Sequence, residues 1–189
     1  NAQTGHHTMD LPVSLDAISE IQILHGSGST QYGSDGVTGV VNILVRPPST
    51  EARVRGALGS FGTNQQSGSV ALSGARASQA FAFSRDLSTG AEQFYGNFNS
   101  WERTKGWFAS IRQELGRNTS AEFAFRRGTD LFVLYRDRPE VFTNRHVLEA
   151  WQGAVRRSDS VGSNSRLSYG LESYADRIFS NNLGNHSRG

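Results

Sequence analysis

The chain has 189 residues, of which only 36% are apolar, and its mean hydropathy is −0.47 although it carries 11 Phe and 21 Gly. A soluble globule of this length ordinarily holds more aliphatic core, and a formal charge of +2 (19 basic, 17 acidic) excludes the strongly basic surface used for nucleic acid. No apolar run approaches the ~18–20 residues of a spanning helix, so any membrane crossing has to be made by strands.

In chain order, Asn1 to Thr8 reads as a polar loop, and Met9-Asp10-Leu11-Pro12 as a turn leading back into packed structure. Asp16 is placed to cap a short turn over Ala17-Ile18-Ser19, its carboxylate accepting backbone N–H groups, which leaves Asp10, Asp16 and Glu20 without an acid–base role. Ile21 and Ile23, then Val41, Ile43 and Val45, alternate with Gln22, Asn42 and Leu44 and predict two short strands. Between them Gly26, Gly28, Gly33, Gly36 and Gly39 permit tight turns that residues with a Cβ resist. Gly26-Ser27-Gly28 begins like a dinucleotide-binding loop, but that fingerprint needs Gly at position 31, where Gln31 stands, and a helix afterwards, where a strand follows. Asp35 reads as a turn or ion-pair residue in this loop. Pro47-Pro48 ends the strand and marks a boundary, since proline removes the ladder donor.

After Pro48 alternation and turn chemistry predict about seven strands: Arg53 to Gly59, Gln65 to Ser73, Ser78 to Arg85, Thr104 to Leu115, Ser120 to Arg136, Val147 to Arg157 and Ser165 to Ile178. Val70/Leu72, Phe81/Phe83, Trp107/Ala109/Ile111, Phe123/Phe125 and Leu167/Tyr169/Leu171 alternate with polar residues such as Ser110, Arg112, Glu122 and Glu172, the pattern of a β-barrel wall. Strand alternation turns one member of each pair Arg126-Arg127 and Arg156-Arg157 toward the polar face, without saying which. The second, fourth and sixth connections (Gly74 to Ala77, Gly116 to Thr119, Ser158 to Asn164) are short. The third and fifth (Asp86 to Arg103, Asp137 to His146) are longer, as in bacterial barrels with short periplasmic turns and long outer loops. The first, Ser60 to Asn64, is brief against that rule. No Gly-x-Ser-x-Gly elbow lies between a strand and a helix, so no catalytic residues are assigned and the chain reads as a non-enzyme.

The ordered run Ile21, Ile23, Leu24, Gly26, then Tyr32-Gly33-Ser34, then Gly39-Val40-Val41-Asn42-Ile43 closely resembles the end of the plug domain of TonB-dependent outer-membrane receptors. Gly59-Ser60-Phe61-Gly62-Thr63-Asn64 looks like the first barrel hairpin of such receptors. Gln93-Phe94-Tyr95-Gly96-Asn97-Phe98 through Trp101-Glu102-Arg103-Thr104-Lys105 resembles a stretch of cobalamin or siderophore receptors. The resemblance implies a mainly β chain: residues 1–48 the C-terminal part of a plug domain, and residues 49–189 about seven antiparallel strands of an incomplete transmembrane β-barrel. It implies an internal fragment without signal peptide or TonB-contacting segment, short of the ~22 strands of such transporters and prone to aggregate through its free edges. Trp101, Trp107, Tyr95 and Phe98 are expected in an interfacial aromatic girdle.

The same resemblance implies energised uptake of a large scarce ligand, cobalamin or a ferric siderophore, in the outer membrane of a Gram-negative bacterium. The implied partners are the TonB complex, acting through a segment outside this chain, and the lipid bilayer with its lipopolysaccharide; no cofactor or nucleic acid is expected. Asn1 to Thr8 falls where cobalamin transporters have a substrate-contacting apical loop, which makes Gln3, His6, His7 and Thr8 candidate ligand contacts. Adjacent histidines diverge and lack a third ligand, so no metal site is assigned. The alternatives are a TonB-dependent oligosaccharide importer, and a non-transporting outer-membrane ligand-binding or adhesive β-barrel.

Overall fold

The structure is a computed structural model that describes residues 15–26, 39–90 and 99–189. Chain contacts divide it into a small unit, Ser14–Pro47, and a larger one that contains Pro48–Gly189. Within the small unit a 3-10 turn over Leu15–Ala17 leads into strands β1 (Ile18–His25) and β2 (Gly39–Val45). They pair antiparallel with Ile21 opposite Ile43 and Ile23 opposite Val41, so these four β-branched side chains share one face. Asn42 Nδ2 donates to Gln22 Oε1 (3.1 Å) on the other face. Asp16 lies inside the 3-10 turn and Ile18 already belongs to β1, so the expected turn over Ala17-Ile18-Ser19 is displaced toward the N-terminus. The Gly/Ser loop between the strands, including Tyr32-Gly33-Ser34 and Asp35, lies outside the described residues.

The larger unit is a single antiparallel meander of eight strands: β3 (Glu51–Leu58), β4 (Asn64–Ser73), β5 (Ala77–Ser88), β6 (Trp101–Leu115), β7 (Thr119–Val133), β8 (Thr143–Val161), β9 (Ser165–Ser180) and β10 (Gly184–Arg188). Each strand pairs with its neighbours in sequence, and β3 and β10 stand at the two edges among the described residues. The seven predicted strands are all present. Several run further than alternation suggested: β5 continues to Ser88, and β8 starts at Thr143 and extends to Val161. β7 stops at Val133, short of the expected Arg136, because Tyr135-Arg136-Asp137-Arg138 forms a turn closed by Arg138 N–H donating to Tyr135 O (3.2 Å). The eighth strand was missed, since Gly-Asn-His-Ser-Arg offers no apolar alternation.

The first six connections differ in length between the two ends. At one end residues 74–76, 116–118 and 162–164 are three-residue turns; Gly116 (φ 62°) and Gly162 (φ 68°) open two of them in the left-handed region that glycine enters without strain. At the other end the connections cover residues 59–63, 89–100, 134–142 and 181–183. The first of these spans five residues and the last, 181–183, only three, so the first six connections alternate in length and the seventh breaks the pattern.

Gly170 marks a close approach in the β8–β9 pairing. A Cβ there would collide with the Val155 carbonyl oxygen and stand 3.0 Å from Arg156 Cα, whereas at Gly128 an added Cβ meets nothing within 4 Å. Gly170→Ala is expected to cost roughly 1–3 kcal/mol by forcing the two backbones apart, and Gly128→Ala to be near neutral. Thermal unfolding of the two variants in detergent, followed by far-UV circular dichroism, checks this; equal midpoints would show that the sheet absorbs the methyl at Gly170.

Candidate functional site

No β-bulge interrupts the seven pairings of the larger sheet among the described residues, so alternate residues stay on the same face from β3 to β10. On one face Val54, Val70, Leu72, Phe81, Phe83, Trp107, Ile111, Phe123, Val155, Leu167 and Leu171 are all exposed. The opposite face carries serines, glutamines and charges, and it buries Ala71, Ala82, Phe108, Leu148, Ala150, Ala154 and Ile178. A water-soluble sheet does the reverse, turning its apolar face inward and its polar face to solvent. An apolar face of this extent, continuous over at least six strands, marks an interaction or membrane surface.

Aromatic side chains tie that face together. Phe83 and Trp107 lie 5.6 Å apart between ring centroids, and Phe125 and Trp151 5.7 Å, both tilted, a favourable spacing for ring pairs. Trp101, Trp107 and Trp151 occupy the half of the face nearer the long connections. Tyr95 and Phe98 lie outside the described residues.

The polar face resolves both arginine pairs: Arg126 and Arg156 lie on it, and Arg127 and Arg157 on the apolar face. Arg156 anchors a ladder across β6, β7, β8 and β9. It donates to Glu122 (2.6 Å) and Glu172 (3.3 Å), while Arg112 pairs with Glu114 (3.0 Å) and approaches Glu122 at 3.9 Å. Gln152 Nε2 donates to Glu172 Oε1 (3.1 Å). Each of these carboxylates faces a guanidinium, an arrangement that holds charge in place on a wet surface instead of readying an acid or base. Beside the ladder and the three-residue turns, an open basin of about 770 Å³ is lined by Arg112, Arg156, Glu172, Asn118 and Tyr169, among others.

At the long-connection end the loops are stitched sideways. Thr89 donates to Phe61 O from its amide (2.8 Å) and its hydroxyl (2.6 Å); Arg136 N–H donates to Asn99 O (3.0 Å) and Arg136 Nε to Ser100 O (3.2 Å). Asn181 Nδ2 donates to Thr143 O (2.6 Å), and Arg145 N–H to Asn181 Oδ1 (2.8 Å). Ser100 is fully buried by this stitching. The Asn99 side-chain amide also donates to the Asp137 carboxylate, and this bond, with a smaller contribution from Arg138, holds the Asp137 carboxyl below its ordinary value of 3.8.

The candidate ligand contacts Gln3, His6, His7 and Thr8 lie outside the described residues. Among the described residues no group of three or more His, Asp or Glu is placed to hold a metal ion. The carboxylate–guanidinium ladder was not found by sequence reasoning, because its members are 16 and 34 residues apart in the chain for Arg156 alone and meet only through register. Scans against protein-family models, curated proteins and solved structures returned no match.

The Asn99–Asp137 bond ties a pH response to the rim of loops. Because folding lowers the Asp137 pKa, its contribution to loop order is complete above the unfolded carboxylate range and is lost as pH falls through the folded value. In Asn99→Ala the Asp137 titration, read by NMR, is expected to move up toward 3.8. An unchanged titration would mean that the backbone hydrogen bond and Arg138, not Asn99, set the shift.

Proposed function

We propose that the chain is a segment of a TonB-dependent outer-membrane receptor: the end of a plug domain (residues 1–48) followed by the first strands of a transmembrane β-barrel (residues 49–189). The observation that carries the membrane part is the exposed apolar face of an antiparallel meander whose first six connections alternate in length. The plug part rests on the ordered sequence run from Ile21 to Pro48 and is supported by the β1–β2 hairpin built from its two apolar segments. In this reading the apolar face meets lipid and the polar face lines the lumen. The turns at residues 74–76, 116–118 and 162–164 are periplasmic and the connections at the opposite end extracellular.

The polypeptide then performs no covalent chemistry. The intact receptor binds cobalamin or a ferric siderophore from outside, with Gln3, His6, His7 and Thr8 among the plug contacts. TonB, pulling on a plug segment outside this chain, supplies the work of import. The Arg112–Glu122–Arg156–Glu172 ladder gives the lumenal wall fixed, mutually neutralised charges past which a hydrated ligand can move without meeting an unpaired ion.

Two measurements test the two parts separately. Phe123→Arg places a cation in the middle of the apolar face and is expected to cost about 2–4 kcal/mol of stability in a bilayer, whereas Ser110→Arg on the polar face costs little. Equal tolerance of the two would remove the membrane reading. Uptake of labelled cobalamin and ferric siderophores by cells expressing the full-length gene is expected for one of the two ligands and to vanish without functional TonB. Uptake that persists without TonB would overturn energised import, and transport of neither ligand would turn the assignment to oligosaccharides.

A further inference from the structure

The tips of the sheet at the end of the turns 74–76, 116–118 and 162–164 carry charge of one sign. Residues 74–77, 115–119 and 158–167 hold four charged side chains: Arg76, Arg117, Asp159 and Arg166. Asp159 is used within the protein, since it accepts from Arg157 (2.9 Å) and from the Tyr169 hydroxyl (2.9 Å). The three arginines are exposed, and none of their guanidiniums makes a hydrogen bond or ion pair among the described residues. The connections at the opposite end are built differently. Residues 134–142 mix Arg136 and Arg138 with Asp137 and Glu140, and residues 59–63 and 181–183 carry no charge.

Main-chain bonds fix where these arginines stand. Gly116 N–H donates to Arg76 O (2.7 Å) and Ser158 N–H to Asn118 O (2.9 Å), so the turn that carries Arg117 is held from both sides. Arg166 sits in β9 opposite Ser160, on the polar face, and Arg117 lines the open basin with Arg112 and Arg156. From β5 to β9 the row spans four inter-strand steps, roughly 19 Å, which sets its members on the order of 10 Å apart. On the apolar face at this end the charged residues are Arg157 and Asp159, and they neutralise each other. The uncompensated charge therefore lies at the turns and on the polar side, not along the apolar face where the headgroups of a bilayer would meet it.

We propose that the row Arg76, Arg117 and Arg166 is a docking surface for an acidic polypeptide segment of another protein, whose Asp or Glu side chains recur about every 10 Å. A planar guanidinium meets a carboxylate through two parallel N–H···O bonds, and turns already fixed by their own main-chain bonds lose little freedom on engagement. Asn118 and Thr119 of the adjoining basin offer polar groups to the backbone of the same segment. The surface goes beyond the receptor reading and depends on the turns alone, not on closure of the sheet. Under that reading the partner is periplasmic, and the contact is separate from the plug segment on which TonB acts.

The full-length protein in detergent micelles is titrated against a fluorescently labelled poly-L-glutamate peptide long enough to span the row, and against poly-L-glutamine of the same length, with anisotropy as the readout. The glutamate peptide is expected to bind and the glutamine peptide not. Arg76→Gln/Arg117→Gln/Arg166→Gln is expected to weaken binding about tenfold, the combined effect of three exposed ion pairs, and to flatten its salt dependence. Arg138→Gln, at the opposite end, leaves binding unchanged. Far-UV circular dichroism checks that the triple variant is folded, which its exposed positions favour. Equal affinity of the wild type and the folded triple variant for poly-L-glutamate, or equal affinity of the wild type for the two peptides, overturns the proposal. So does phosphatidylglycerol retained by the wild type and lost from the triple variant in native mass spectrometry, which would make the row a headgroup site.

Discussion

The two-residue side-chain period, carried without interruption through seven strand pairings, is the constraint on which everything else in this sheet depends. A slip of one residue in any pairing would send every later side chain to the wrong face. The cost of such a slip is concentrated where the faces differ most. Moving β7 by one residue would put Phe123 and Phe125 beside the Arg112 and Arg156 guanidiniums and carry Glu122 onto the apolar face. Register is therefore specified jointly by ring contacts on one side and ion pairs on the other. Neither side could specify it alone, because each consists of groups that tolerate sliding past their own kind.

The polarity of the sheet follows from chain reversal at its two ends. Glycine at positions 116 and 162 supplies the left-handed residue that begins two of the three-residue turns. Longer connections have backbone groups to satisfy, and here neighbouring loops satisfy one another: Thr89 serves the Phe61 carbonyl and Arg136 serves Asn99 and Ser100, while Asn181 of the three-residue connection 181–183 bonds Thr143 and Arg145 at the start of β8. Both ends are bonded laterally: at the short end Gly116 N–H donates to Arg76 O (2.7 Å) and Ser158 N–H to Asn118 O (2.9 Å).

Much of this was legible in the sequence because a half-apolar strand writes its period directly into residue order. The strands carrying Phe81/Phe83, Trp107/Ile111 and Phe123/Phe125 could be read with no knowledge of their partners. β10 could not, since Gly184-Asn185-His186-Ser187-Arg188 contains no apolar residue and is a strand only because β9 offers it a pairing edge. Strand ends were short for the same reason: Ser158 to Val161 extends β8 through polar residues paired with Ser165 to Ser168. The charge arrangements were hidden altogether. Arg112, Glu122, Arg156 and Glu172 are neighbours by register and not by sequence, and Arg126-Arg127 reads as one basic dipeptide although its two members belong to opposite surfaces with different electrostatic tasks.

The free edges carry the same logic one step further. β10 covers only Asp176 to Ser180 of β9, so residues 165–175 present an unpaired ladder on that side among the described residues, with Leu167, Tyr169 and Leu171 exposed beside it. β3 presents a second such edge. A long, flat edge flanked by apolar side chains is a template for pairing, and natural sheets either blunt it or close it. Here β3 carries Arg53 and Arg55 on its polar face, but nothing in β9 from Leu167 to Leu171 opposes another strand. The unpaired ladder of β9 and the exposed apolar face lie side by side, so the backbone and the side chains of this strand both present surface that pairing or burial would cover.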